Sequence, residues 1–174
     1  MTPIDPEDLR RHAQQLGLFG LLHEWERYRD KPWLAELFEI ETRERTRRGL
    51  ERRLRQAKLG AFKPMADFDW SWPKQIDREH VEDCLALRFL DEKANVVLVG
   101  PNGIGKTMIA QNIAYAAVLR GISVLRVNAS EMLSDLSRQD TSSALQRRIR
   151  LYTSPGLLVL DEVGYCSAAR SMSA

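Results

Sequence analysis

Eight consecutive residues constrain this chain more than any other feature: Gly100, Pro101, Asn102, Gly103, Ile104, Gly105, Lys106 and Thr107. They match the pattern G-x-x-x-x-G-K-[ST] without a mismatch, which a random chain of similar length does less than about 1% of the time. The setting sharpens the reading. An apolar, β-rich run (Asn-Val-Val-Leu-Val, 95–99) precedes the motif, and an alanine-rich helical periodicity over 108–120 follows it. The sequence therefore predicts a buried parallel strand, a glycine-rich turn and a helix, in that order. Glycines let such a turn aim successive backbone N–H groups inward, at a helix N-terminus whose dipole favours negative charge. Lys106 would reach the β- and γ-phosphates of a bound polyphosphate, and Thr107 would offer its hydroxyl to Mg²⁺. Residues 100–107 together with Met108 are the candidate nucleotide-binding residues. The competing reading is a plain strand–helix turn with a surface lysine.

A second anchor lies further on. Leu157, Leu158, Val159 and Leu160 lead into Asp161 and Glu162. At the carboxyl end of a strand, Asp161 would hold Mg²⁺ directly or through water, and Glu162 would polarise an attacking water as general base. Between the two anchors the sequence predicts a strand over 123–127 and helices over 130–137 and 142–152. Strand and helix alternating in this rhythm mean parallel βαβ units and an α/β fold. The acidic strand stands beyond the next strand in sequence, the layout of additional-strand ATPases rather than nucleotide kinases.

The rest of the chain reads as an appendage (1–59), a connector (60–77) and the core (78–174). In the appendage, Leu9, Ala13, Leu16, Leu21, Leu22 and Trp25 recur at helical spacing, with Gly17 and Gly20 as interruptions, and a second helix starts after Pro32. Residues 41–58 hold seven Arg and one Lys against three Glu, a local excess of five positive charges. Such a block is either a solvated helix face or a grip on a polyanion. In the connector, Pro64 and Pro73 oppose regular helix, and Phe68, Trp70 and Trp72 read as packing anchors or as a stacking platform for bases. Residues 78–93 read as one helix with Val81, Leu85 and Phe89 on its apolar face. His12, His23 and His80 lack metal-ligand spacing. Cys84 reads as a small buried hydrophobe, and Cys84 and Cys166 cannot build a disulfide framework. Arg147, Arg148 and Arg150 read as a solvated face or DNA contacts. With 44% hydrophobic and 29% charged residues in 174, the composition is globular. No apolar run nears the roughly 20 residues that span a bilayer, so a soluble, cytoplasmic protein is expected.

Four segments together resemble the IstB-like ATPases, helper proteins of insertion-sequence transposition that are similar to DnaC-type helicase loaders. They are Glu51-Arg52-Arg53-Leu54-Arg55-Gln56-Ala57-Lys58-Leu59, then Asp67-Phe68-Asp69-Trp70 with Lys74-Gln75-Ile76-Asp77, the stretch from Val97 to Thr107, and Leu157-Leu158-Val159-Leu160-Asp161-Glu162-Val163-Gly164-Tyr165. The resemblance implies an AAA+ P-loop ATPase with a three-layer αβα core that takes ATP and Mg²⁺, binds DNA, self-assembles on it and delivers a target to a transposase. In that reading Lys106 and Glu162 are the catalytic residues and Thr107 and Asp161 hold the metal. Arg47, Arg48, Arg52, Arg53, Arg55 and Lys58 contact DNA, and the N-terminal helices engage the partner protein.

The same resemblance implies further strands beyond Tyr165, where this chain reads Cys166-Ser167-Ala168-Ala169-Arg170-Ser171-Met172-Ser173-Ala174. That tail reads as a frameshift or premature end. The family's strand order would set the 95–99 strand between two of those later strands, so it is expected either to pair directly with the 157–161 strand or to fold poorly. A truncated, hydrolysis-deficient helper is the leading expectation. A helicase loader and a non-enzymatic DNA-binding remnant are the alternatives.

Overall fold

A computed structural model describes residues 6–72 and 75–162. The readings placed on 163–174, Cys166 and the tail included, lie outside the described residues. The chain divides into two compact units, Met1–Glu51 and Arg52–Ala174.

The first unit is helical: α1 (Pro6–Gln15), α2 (Phe19–His23), α3 (Trp25–Tyr28) and the start of α4 (Trp33–Ala57). Leu9, Ala13 and Leu16 pack with Trp25, Leu34 and Phe38 into one buried cluster, as the helical spacing predicts. Gly17, at φ +67°, ends the first turn of chain. The Leu16 carbonyl, left without a helical donor, accepts Nη1 of Arg45 at 2.6 Å. One of the helix's basic residues is thereby taken up by local structure.

In the second unit α4 ends at Ala57, and a 3₁₀ turn (Met65–Asp67) lies within the connector. Then come α5 (Arg78–Leu85), α6 (Arg88–Asp91), α7 (Lys106–Leu119), β1 (Val124–Asn128), α8 (Ala129–Ser137), α9 (Ser142–Thr153) and β2 (Leu157–Asp161). The single helix expected over 78–93 is broken. Leu87 adopts a left-handed φ of +61° between α5 and α6 and is buried, whereas Phe89 is half-buried. Tertiary burial outweighs local periodicity at that residue. Strands β1 and β2 pair in parallel, Val124 opposite Leu157 through Asn128 opposite Asp161. The α8–α9 crossover between them fits the βαβ expectation. Asp135 on α8 ties the crossover together by accepting from Arg148 and, at 2.6 Å, from the Tyr152 hydroxyl. Arg148 thus has a structural partner. The unit is an incomplete α/β P-loop core.

The strand expected over 95–99 does not form. Among the described residues no strand pairs with it, and Val97 and Val99 are 78% and 86% exposed. Direct pairing with β2, one of the two expected outcomes, is not what the chain does. A strand apolar on both faces is stable only when neighbours cover it, and here β1 and β2 pair only with each other. The connector aromatics divide as well. Phe68 is buried and meets Trp70 edge-on at 4.8 Å, whereas Trp72 is 60% exposed.

Two outcomes test this arrangement. Val97→Thr should change the unfolding free energy by less than about 0.5 kcal/mol, as at any exposed site. Val124→Thr should cost about 1–3 kcal/mol, because β1 buries that side chain and leaves a new hydroxyl without a partner. Denaturant titration compares the two, and a large loss in Val97→Thr would show a covered strand. The second outcome concerns the α5 N-cap, where Asp77 accepts the His80 backbone N–H and bonds its ring at 2.7 Å. The bond to Asp77 raises the His80 pKa above its ordinary value. This contribution to stability is therefore complete below about pH 6.5 and fades as pH climbs through the raised value. NMR titration should place His80 above an ordinary histidine in the wild type and move it down toward the ordinary value in Asp77→Asn, with Asp83 and Glu79 still nearby.

Candidate functional site

Helix α7 positions the site. It is buried along most of its length through Ile109, Ile113, Ala114, Ala117 and Val118, and it packs on β1, β2, α5 and the 3₁₀ turn. Two buried amides fix it to the connector and to the residue before it. Gln111 donates to the Leu59 carbonyl at 2.7 Å. Asn112 donates to the Lys63 carbonyl at 2.9 Å and accepts the Met65 N–H at 3.0 Å. Residues that sequence reading left as generic helix thus set the height and rotation of the helix N-terminus.

That N-terminus carries no side-chain cap. Helices α5, α8 and α9 are capped by Asp77, Asn128 and Thr141, but α7 opens on Gly105, with no acidic residue in its first turn. Its first N–H groups and its dipole remain available to an anion. Gly105 is required twice over. Its φ is +94°, and a Cβ there would lie 2.6 Å from the Phe68 ring. Phe68 is therefore a support of the loop, a role that its aromatic character alone did not reveal.

Lys106 folds back over the loop and donates to the Gly100 and Pro101 carbonyls at 2.7 and 2.6 Å. Gly103, at φ +83°, turns the chain between them. Asn102 and Ile104 complete the loop, and Met108 follows on the first turn of α7, where its carbonyl accepts from Asn112 at 2.8 Å. Thr107 Oγ lies 3.4 Å from Asp161 Oδ1, so the N-terminus of α7 and the tip of β2 meet there.

Strand register supplies the rest. Asn128 opposes Asp161, and alternation puts Arg126, Asn128 and Asp161 on one face. Arg126 Nη2 holds Asp161 Oδ2 at 2.5 Å. The Asn128 amide bonds Glu162. Glu162 itself sits at φ +57°, a left-handed conformation that a residue other than glycine adopts at a cost, and its N–H bonds Asp161 Oδ1 at 3.1 Å. Neither Arg126 nor Asn128 was singled out from sequence. The signal for them was the β1 register, which only pairing reveals. Thr107 and Asp161 offer a hydroxyl and a carboxylate oxygen close together, and hard oxygen donors of this kind suit Mg²⁺, which keeps much of its own water.

The six basic residues proposed for DNA are not equivalent. Arg47 pairs with Glu44 at 2.7 Å and Glu51 at 2.5 Å, and Arg48 pairs with Glu44 at 2.7 Å. Hydrogen bonds from Arg47 and Arg48 hold the Glu44 carboxyl down at about 2. Arg53 is half-buried, with Nε 3.4 Å from the Val118 carbonyl. Arg52, Arg55 and Lys58 are exposed. Of the three histidines, none joins a metal-binding cluster among the described residues. Cys84 is half-buried, and burial pushes its thiol pKa up, in keeping with a packing role. No helix among the described residues is long and apolar enough to cross a membrane.

Residues 21–173 match the family described as IstB-like ATP binding protein. A protein of Mycobacterium tuberculosis whose name ties it to ATP binding and an insertion sequence is 39% identical over 75% of the chain and 52% of its own length. A counterpart named for insertion sequence IS5376 in Geobacillus stearothermophilus is 32% identical over 76% of the chain and 53% of its length. One named for IS21 in Pseudomonas aeruginosa is 33% identical over 78% and 51%. The chain spans about half the length of the curated relatives it matches. The phosphate-loop motif, the β2 acidic pair and a family match over most of the sequence lead to one conclusion: the chain belongs to the IstB-like ATP-binding protein family of insertion sequences.

Proposed function

We propose that this chain binds ATP with Mg²⁺ at the α7 N-terminus and grips the DNA backbone through exposed basic residues at the end of α4. In this reading it serves insertion-sequence transposition as a helper that presents DNA to a transposase, working as an assembly of several copies. The observation that carries it is the meeting of Thr107 with Asp161 at 3.4 Å, beside an uncapped helix N-terminus.

Each group has a part. The free N–H groups at the start of α7 take phosphate oxygens, and Lys106 exchanges the Gly100 and Pro101 carbonyls for the outer phosphates. Thr107 and Asp161 are the groups that would hold Mg²⁺, which when bound neutralises charge developing on the phosphates. Glu162, held by Asn128, is placed to orient and polarise a water for attack on the terminal phosphate. Arg52, Arg55 and Lys58 meet DNA phosphates without reading sequence.

Lys106→Ala should weaken binding of a fluorescent ATP analogue at least about tenfold, the loss of one charge-assisted contact, while leaving the thermal midpoint within a few degrees. An unchanged affinity would remove Lys106 from the site. For DNA, Arg52→Ala, Arg55→Ala and Lys58→Ala combined should flatten the log–log salt dependence of binding by about 2–3 units. Arg47→Ala with Arg48→Ala should change it less, because Glu44 and Glu51 already neutralise those charges. An equal change in both sets would contradict the distinction.

A further inference from the structure

The interaction that the family reading does not use is the ion pair between Arg126 and Asp161. Arg126 stands mid-strand between Leu125 and Val127, in a two-stranded sheet whose other residues are apolar except for those at its carboxyl edge. Its side chain is 26% exposed and that of Asp161 is 19% exposed. The contact is short, 2.5 Å from Nη2 to Oδ2, in surroundings where charges are weakly screened.

The arrangement is a poor one for stability alone. Arg126 Nε is buried without a hydrogen-bond partner among the described residues. A buried donor left in this way costs free energy, and apolar residues in place of both Arg126 and Asp161 would avoid the cost of the pair. The guanidinium is a fixed positive charge beside Asp161. The other carboxylate oxygen, Oδ1, faces Thr107 and the Glu162 N–H. Asp161 is thus shared, with one oxygen on a fixed internal cation and the other turned toward the candidate metal position.

We propose that Arg126 is the built-in counter-cation of Asp161 and that it denies this carboxylate to a lone divalent cation, so that metal enters only together with the negative charge of nucleotide phosphates. A divalent ion arriving alone meets a hydroxyl and a carboxylate whose charge is already balanced. One arriving on a polyphosphate brings its own anionic ligands and overcomes the repulsion from Arg126. The inference rests on the reading of Asp161 as a metal-holding residue, and it adds the order of loading. Arg126 acts through Asp161 and is a positioning residue in that sense.

The test uses the full chain and Mn²⁺ alone, with no nucleotide, followed by electron paramagnetic resonance and by the thermal midpoint. Wild-type protein should bind Mn²⁺ weakly, with a midpoint that Mn²⁺ does not move. Arg126→Met should bind Mn²⁺ about tenfold or more tightly. It should also unfold at lower temperature without metal, because Asp161 is left unbalanced, and regain part of the loss as Mn²⁺ is added. Arg126→Lys keeps the charge and should behave as wild type toward Mn²⁺. Equal Mn²⁺ affinity in wild type and Arg126→Met would overturn the proposal, as would tighter binding in Arg126→Lys equal to that in Arg126→Met. The double variant Arg126→Met with Asp161→Asn separates the two claims. It should lose the gain, and if it keeps the gain, the assignment of Asp161 as the metal ligand fails instead.

Discussion

Buried amide hydrogen bonds from α7 to the connector are the constraint on which the rest of the site depends. An α-helix that is apolar around most of its circumference has no preferred rotation from burial alone. Gln111 and Asn112 remove that freedom, because each must satisfy specific backbone groups, Gln111 at Leu59 just before the connector and Asn112 at Lys63 and Met65 within it. Leaving those groups unpaired in the interior costs about 1–3 kcal/mol apiece, so the helix has one angular setting. The setting places Thr107 toward β2 and brings the connector's Phe68 against Gly105. The connector is therefore structural support for the phosphate loop rather than a passive link.

What could be read from the sequence follows from which interactions are local. The loop motif, α7, α8, α9, β1 and β2 were legible because short-range patterns specify them: glycine spacing, helical periodicity, apolar runs ending in acids. The break at Leu87 was not legible, since a left-handed leucine is adopted only to fill a core site that periodicity does not describe. The 95–99 strand was misread for a related reason. Its composition is that of a buried strand, but strand identity belongs to pairs, and the described residues offer it no neighbour. Arg126 and Asn128 escaped notice because their partners are set by the β1–β2 register, a long-range quantity that a single sequence does not display.

Charge counting shows the same limit. An excess of five positive charges over 41–58 treats each charge as free. Helical spacing converts several into i,i+3 and i,i+4 pairs, as with Arg47 and Arg48 around Glu44. The Glu residues sit early in the segment, at 41, 44 and 51, whereas 52–58 contains none. The unbalanced charge is therefore concentrated at the end of the helix. There Lys58 ends the helical stretch at φ +53°, and the exposed side chains of Arg52 and Arg55 lie one turn apart.

The carboxyl edge of the β1–β2 pair draws these threads together. Two parallel strands in register bring Asn128 beside Asp161, and the chain then turns through a left-handed Glu162. Each of the two acids is tied to β1 by a different residue, Asp161 by Arg126 and Glu162 by Asn128. A movement of β1 along β2 would therefore alter both carboxylates at once, whereas a movement of α7 would reach Asp161 through the Thr107 contact. Strand register governs the acids and connector hydrogen bonding helps set the loop, and the two halves of the site meet where α7 packs on β1 and β2, with Thr107 and Asp161 the polar contact at that seam. A ligand bridging that polar contact would tighten a coupling that packing already provides.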